Sequence, residues 1–103
     1  MLQNELLSQI ENSQPPIIID VRSGFEYQHG HIPGAIHIPF WTVFFSKKLA
    51  GLNKTNAMVL YCEHGPRAVL AKLLLSCLGF KNISCLTGHM MSWRKAGLAI
   101  EKN

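Results

Sequence analysis

Cys62 is followed by Glu63, His64, Gly65, Pro66, Arg67 and Ala68, and the whole group stands between two apolar stretches, residues 57–60 and 69–75. A thiol, an acid, an imidazole and a guanidinium placed between two pieces of core suggest a cysteine nucleophile. The thiolate attacks and the thiol does not, so the surroundings must favour the anion. Gly65 permits a tight curl that a Cβ would obstruct. Pro66 suits the first turn of a helix, where its missing N–H costs nothing. A loop curled in this way can turn its backbone N–H groups inward as an anion-binding nest, and the positive end of the following helix adds to it.

Those residues need a strand to end at Cys62 and a helix to begin just after it. Residues 57–62 are an unbroken apolar run, read as a strand buried on both faces. From Pro66 onward Val69, Leu70, Leu73, Leu74, Cys77 and Leu78 recur at helical spacing, and Gly79 stops the helix. Upstream, the pattern predicts a helix over 4–10, a buried strand over 17–21, and a short helix over 24–29 with Gly30 as a left-handed cap. Ile32-Pro33-Gly34-Ala35 fits a type II turn, a short strand follows to Pro39, and residues 41–49 read as a helix with an aromatic face. A strand over 83–86 and a helix over 90–96, closed by Gly97, complete the chain. Alternating strands and helices imply a three-layer α/β fold, a mostly parallel central sheet of four or five strands flanked by helices. Sites in such sheets form outside the carboxyl ends of the strands, where Cys62 stands.

With 103 residues, 48% of them hydrophobic, the chain suits one domain over residues 1–103. A net charge of +4, with basic residues spread along the chain, is weak support for nucleic acid or a membrane surface as partner; solubility explains it, and neither partner is expected. The first residues lack the apolar core of a secretory signal and no run reaches a bilayer-spanning length, so the expected compartment is cytoplasmic. Cysteines at 62, 77 and 85, odd in number and without a Cys-x-x-Cys pair, argue against a disulfide framework and a zinc ribbon. A small buried hydrophobe is the ordinary role of a free cysteine. It fits Cys77 on a helix face and Cys85 in a strand better than Cys62, where strand end, glycine loop and helix start coincide. His29, His31 and His37 straddle a turn and a strand and do not compose a metal site.

Cys62-x-x-Gly65-x-Arg67 after an apolar strand resembles the active-site loop of the rhodanese family, the single-domain sulfurtransferases. Asp20-Val21-Arg22, Glu26-Tyr27 and Gly30-His31-Ile32-Pro33-Gly34-Ala35 resemble its N-terminal signature. Gly88, Trp93 and Ala96-Gly97-Leu98 are similar to its C-terminal end. The resemblance implies that Cys62 alternates between thiolate and persulfide, taking sulfur from thiosulfate or a persulfide donor and passing it to a thiol or cyanide. It implies substrate binding by the loop residues Glu63, His64, Gly65, Pro66, Arg67 and Ala68, with Arg67 facing donor oxygens, and it calls for no cofactor and no metal. Partners would be a small-molecule sulfur donor and a thiol acceptor, an acceptor protein among them, with the chain a monomer or homodimer. The alternative is a rhodanese-like sulfur carrier or protein-interaction module with little turnover. Related cysteine phosphatases and arsenate reductases place five residues between Cys and Arg; here four intervene, a cradle better sized for one sulfur than for phosphate.

Around this loop, Asp20, Arg22 and Glu26 are expected to be structural, with Arg22 and Glu26 as a local ion pair. Glu63 is expected to point outward; the sharper alternative is that its charge weakens thiosulfate binding. His64 is expected to be an exposed loop residue. Residues 41–45 carry more aromatic surface than one buried helix face needs; core is the first expectation, a patch near the site mouth for a partner protein or a second copy the other. Trp93 is expected in the core. His89, Met90 and Met91 follow Gly88 where the family often has a second glycine, which would narrow the approach to Cys62. Family members commonly open with an extra edge strand, for which only three residues remain before the first helix. The sheet therefore has one strand fewer, or residues 99–101 contribute differently.

Overall fold

The computed structural model describes residues 1–102. Its strands β1 (Ile17–Asp20), β2 (Ile36–His37), β3 (Met58–Tyr61) and β4 (Ile83–Cys85) form one parallel sheet in the order β2-β1-β3-β4. The central pair is in register from Ile17 opposite Met58 to Asp20 opposite Tyr61, so the next residues, Val21 and Cys62, leave the sheet side by side. Helices α1 (Gln3–Glu11), α2 (Gly24–Gln28), α3 (Pro66–Cys77) and α4 (His89–Lys95) connect and flank the strands.

Period-two alternation sorts the strand residues into two cores. Ile19, Val21, Met58, Leu60 and Cys62 share one with Val43, Ala68, Ala71, Leu75 and Phe80. Ile18, Val59 and Tyr61 share the other with Leu6, Leu86, Met90 and Trp93. The sheet is thus covered by α3 on one face and by α1 and α4 on the other. Each wholly buried aliphatic or aromatic side chain contributes about 1.5–3 kcal/mol over exposure, and Trp93 is among those with no exposed surface, as expected.

Several expectations need correction. Residues 41–49 do not form an α-helix but two 3-10 helices, η1 (Phe40–Phe45) and η2 (Lys47–Leu49). Ser46 interrupts them with extended backbone, its side chain accepting the Lys48 N–H, the local bond by which serine competes with helix. Within that run only Val43 is buried; Trp41, Phe44 and Phe45 are 57%, 52% and 84% exposed, so the expectation that the run is core does not hold. On α3 the buried positions are Ala68, Ala71 and Leu75, whereas Val69, Leu70 and Leu73 are exposed. The small alanines let the helix lie close on the sheet, and that close approach turns the larger residues outward. Cys77 is accordingly exposed rather than buried.

The turn at Ile32 is as expected, with the Ala35 N–H bonded to Ile32 O at 3.0 Å and Gly34 at φ 83°. Gly30 has φ 148°, a positive-φ backbone that suits glycine though well beyond the left-handed helical value expected for a cap, and its carbonyl accepts from the Arg22 guanidinium at 2.7 Å. The sheet has four strands, and the first residue of the chain lies against its β4 edge while residue 101 pairs outside it. Met1 lies along β4, its nitrogen bonding Cys85 O at 2.8 Å and its carbonyl accepting the Thr87 N–H at 2.8 Å. Glu101 forms an isolated antiparallel bridge with His31.

Candidate active site

Cys62 follows the last residue of β3, is wholly buried, and lies beneath the loop that leads into α3. Gly65, at φ 130°, caps α3 without any side-chain bond, and its N–H donates to Cys62 Sγ at 2.9 Å. Only glycine takes that backbone readily, and a Cβ there would stand 3.1 Å from His89 Nε2. Pro66 opens the helix, and among the described residues the next N–H groups, of Arg67 and Ala68, have no protein acceptor. A helix leaves such donors unpaired at its start, which is the usual seat of a bound anion.

The loop is held from α4. Met90 N–H bonds Cys62 O at 3.0 Å, Met91 N–H bonds Glu63 O at 3.2 Å, and the Cys62 N–H donates to His89 Nδ1 at 3.3 Å. His89 has φ 55°, rare for a residue with a Cβ, and burial, helped by nearby His64, pushes its pKa down. The neutral ring accepts at Nδ1, so its proton sits on Nε2, beside Gly65. Sequence reasoning noted His89 only as bulk; its direct bond to the nucleophile's backbone was missed. The one available signal was a large residue replacing glycine at a turn.

Charged neighbours pair differently from the local expectation. Arg22 does not meet Glu26. Its guanidinium bonds Asp20 at 2.8 Å, both side chains being almost fully buried, and reaches Glu63 at 3.2 Å. Burial works against the Arg22 charge, yet Asp20, with Tyr61 and Glu63 adding to it, outweighs burial and the pKa rises. Glu26 instead receives two bonds from Arg67, at 2.6 and 3.0 Å, and completes a capping box with Ser23 at the start of α2. Arg67's hydrogen bonds, with smaller help from Ser23, hold the Glu26 carboxyl at about 2. Both terminal nitrogens of Arg67 therefore bear on Glu26, which makes it a tie for the loop before it is a ligand for donor oxygens.

Glu63 does not point into solvent. Arg94, a residue the sequence did not single out, bonds both of its oxygens, Arg22 bonds one, and the Arg94 bonds above all hold its pKa down. Its negative charge is thereby neutralised, which weakens the case that it repels a dianionic donor. His64 is exposed as expected, and Ala68 is buried in the core beside Cys62. A cleft of about 280 Å³, lined by Arg22, Phe25, Glu26, Glu63 and Arg94 among others, opens next to the loop.

His29, His31 and His37 are engaged locally, their ring nitrogens bonding the carbonyls of Phe25, Tyr27 and Arg22. No group of three or more His, Cys, Asp or Glu among the described residues is placed to hold a metal ion. No helix among them is long and apolar enough to cross a membrane.

The chain matches known proteins over most of its length. The family model described as "Rhodanese-like domain" matches residues 2–96. The Allochromatium vinosum protein named "Sulfurtransferase" is 27% identical over 100 residues, covering 96% of this chain and 92% of that protein. The Bacillus subtilis "Putative sulfur carrier protein YrkF" is 31% identical over 84 residues, covering 82% of this chain but only 44% of that protein. The chain therefore spans less than half the length of that relative. Among solved structures, a rhodanese-related protein from Thermoplasma volcanium superposes with a TM-score of 0.83 at 28% identity, covering 100% of this chain and 97% of that one. A rhodanese-like domain protein from Staphylococcus aureus gives 0.81 at 28%, covering 100% and 96%. A parallel sheet ending in a Cys62 cradle, matched from residue 2 to residue 96, places this chain in the rhodanese-like domain family.

Proposed function

We propose that this chain is a sulfurtransferase in which Cys62 carries sulfur as a persulfide. The observation that carries the proposal is the Gly65 N–H directed at Cys62 Sγ, 2.9 Å away at the start of α3. With thiosulfate, the Cys62 thiolate attacks the outer sulfur, the sulfur–sulfur bond breaks, and sulfite leaves with the electron pair. An acceptor thiolate then attacks the terminal sulfur of the persulfide, and the pair from that bond returns to Cys62. Two half-reactions through one covalent intermediate predict ping-pong kinetics.

The chain's residues divide the work. Donors from the loop and the first turn of α3 would stabilise the anionic terminal sulfur. Arg67, tied to Glu26, fixes where that turn begins, and Arg22 and Arg94 offset the charge of Glu63 beside the entrance. We treat residues 1–103 as one domain working without cofactor or metal, in the cytoplasm, where thiols stay reduced.

A second function, as sulfur carrier or interaction module, is favoured by one specific observation: Cys62 has no exposed surface. The relative named as a putative sulfur carrier agrees with it. Mass spectrometry after thiosulfate treatment tests the first proposal. Wild type should gain one sulfur at Cys62, and Cys62→Ser should gain none; absence of the adduct in wild type overturns persulfide chemistry. Steady release of sulfur to cyanide distinguishes the enzyme from a carrier that loads once and holds its sulfur.

A further inference from the structure

Every arginine of this chain is matched to a carboxylate, and among the described residues no lysine is. Arg22 meets Asp20 and Glu63, Arg67 meets Glu26, and Arg94 meets Glu63. Among the described residues no lysine forms an ion pair. Glu63 is the sole acid between residues 28 and 100, and it is already committed to Arg22 and Arg94. The layer built from η1, η2 and α3 therefore carries the exposed Lys47, Lys48 and Lys72 with no acid to balance them. Glu5 and Glu11 lie on α1, across the sheet.

The same layer exposes large apolar side chains. Leu73 stands four residues beyond Val69 and three beyond Leu70, so the three share one face of α3. Trp41 and Phe44, three apart on a 3-10 helix, eclipse one another, and Phe45 adjoins them. All six are more than 40% exposed, and η1 packs against α3. A soluble surface scatters such residues singly; gathered together they mark a contact.

We propose that this face docks an acidic protein that presents the thiol receiving sulfur from Cys62, a partner class that rests on the sulfurtransferase assignment. The apolar stripe begins one turn from the nucleophile loop, since the Val69 N–H bonds Gly65 O and the Gly65 N–H bonds Cys62 Sγ. Cys62 is wholly buried, so a thiol held against the loop gains the positional advantage that a freely diffusing one lacks. Lysines without an acidic partner beside an apolar stripe complement acidic groups around an apolar partner surface. A two-fold contact with a second copy would set these lysines against their own counterparts, which disfavours it. A bilayer would meet the charge equally well, but nothing in its chemistry requires contact beside the nucleophile.

The experiment uses two synthetic peptides, each with one cysteine and spaced leucines, one rich in glutamate and the other in lysine. Binding to the unloaded protein is followed by fluorescence, to which the exposed Trp41 responds while buried Trp93 does not. Transfer is followed by loss of the Cys62 persulfide in mass spectra. The acidic peptide should bind and should discharge the persulfide at least about tenfold faster than the basic one. Phe45→Ser with Leu73→Ser should remove the preference, and Lys47→Glu with Lys72→Glu should reverse it, while discharge to dithiothreitol stays unchanged in both. Equal binding and discharge by the two peptides overturns the proposal. So does sedimentation with phosphatidylserine vesicles that the same variants abolish, which would assign the face to a membrane, or a dimer that they dissolve. Failure of Cys62 to load would sink the sulfurtransferase assignment alone, because the fluorescence titration still decides whether an acidic partner docks.

Discussion

Glu26 of α2 holds Arg67 of α3 through two hydrogen bonds, at 2.6 and 3.0 Å, across 41 residues of sequence. One oxygen of the same carboxylate also accepts from the Ser23 N–H and hydroxyl. A single side chain thus caps α2 and ties the first turn of α3, the turn that shapes the cradle. Lysine cannot reproduce the two-nitrogen grip. Arg67→Lys and Glu26→Gln should each slow Cys62 persulfide formation by about tenfold, with a double-mutant coupling of about 0.5–3 kcal/mol in stability. Strict additivity in urea titrations would show that the pair does not act as a unit.

The same pair sets a pH dependence. Glu26 titrates near 4.5 when unpaired and at about 2 in the fold. The unfolded chain therefore takes up the proton first, and the stabilisation is present above about 4.5 and lost as pH falls toward 2. The stability gap between wild type and Glu26→Gln should narrow over that window and hold constant from pH 5 to 7. Urea midpoints collected across the range measure it.

Asp20 and Arg22 are a buried pair, with side-chain exposures of 0% and 2%. Removing one partner leaves an uncompensated charge in the core, which typically costs about 3–5 kcal/mol. Asp20→Ala should lower the unfolding free energy by that order. An unchanged urea midpoint would mean that Glu63 and the Gly30 carbonyl suffice to satisfy Arg22.

Gly65 and His89 should behave as a coupled pair. Gly65→Ala sets a Cβ 3.1 Å from His89 Nε2 and forces alanine to φ 130°, a backbone strain of about 1–3 kcal/mol. Adding His89→Gly removes the contact but not the strained angle, so thermal stability should recover only in part. By itself, His89→Gly should speed persulfide discharge to bulky thiols and leave small ones unaffected. Equal acceleration for both would show that the ring does not restrict access.

Cys77, exposed on α3, should be the fast-reacting thiol toward a bulky aromatic disulfide reagent in the folded protein, with half-buried Cys85 slower and buried Cys62 slower still. The count of thiols released in the first phase, with and without Cys77→Ser, checks the order.

The positions of the strands, the glycine curl and the helix start at Pro66 were legible because short-range rules govern them. An unbroken apolar run between turn residues, a glycine where φ is positive and a proline at a first helical turn depend on neighbours within a few residues. Residues 41–49 were the exception: their apolar spacing suited a helix, but the serine at 46 accepts the Lys48 N–H and splits the segment. The buried face of α3 was misread for a related reason. Leucine or valine occupies nearly every side of that helix, so apolar spacing could not choose among them, and the alanines won because they let the helix approach the sheet.

By itself, then, the order of residues determined that Cys62 stands at the end of a strand's apolar run, that four residues separate it from Arg67 and that the loop between them can present main-chain donors. Only tertiary structure decided which charge meets which. Local spacing suggested Arg22 with Glu26; the sheet register instead brings Asp20 level with Tyr61, next to the loop, so that Arg22 meets Asp20 and Glu63 while Glu26 is left for Arg67. The same distance in sequence hid His89, 27 residues from Cys62, whose ring accepts the nucleophile's own N–H. Ion pairs and ring contacts of this kind require two distant segments in fixed relative positions, and packing of the core, rather than any local preference, supplies those positions.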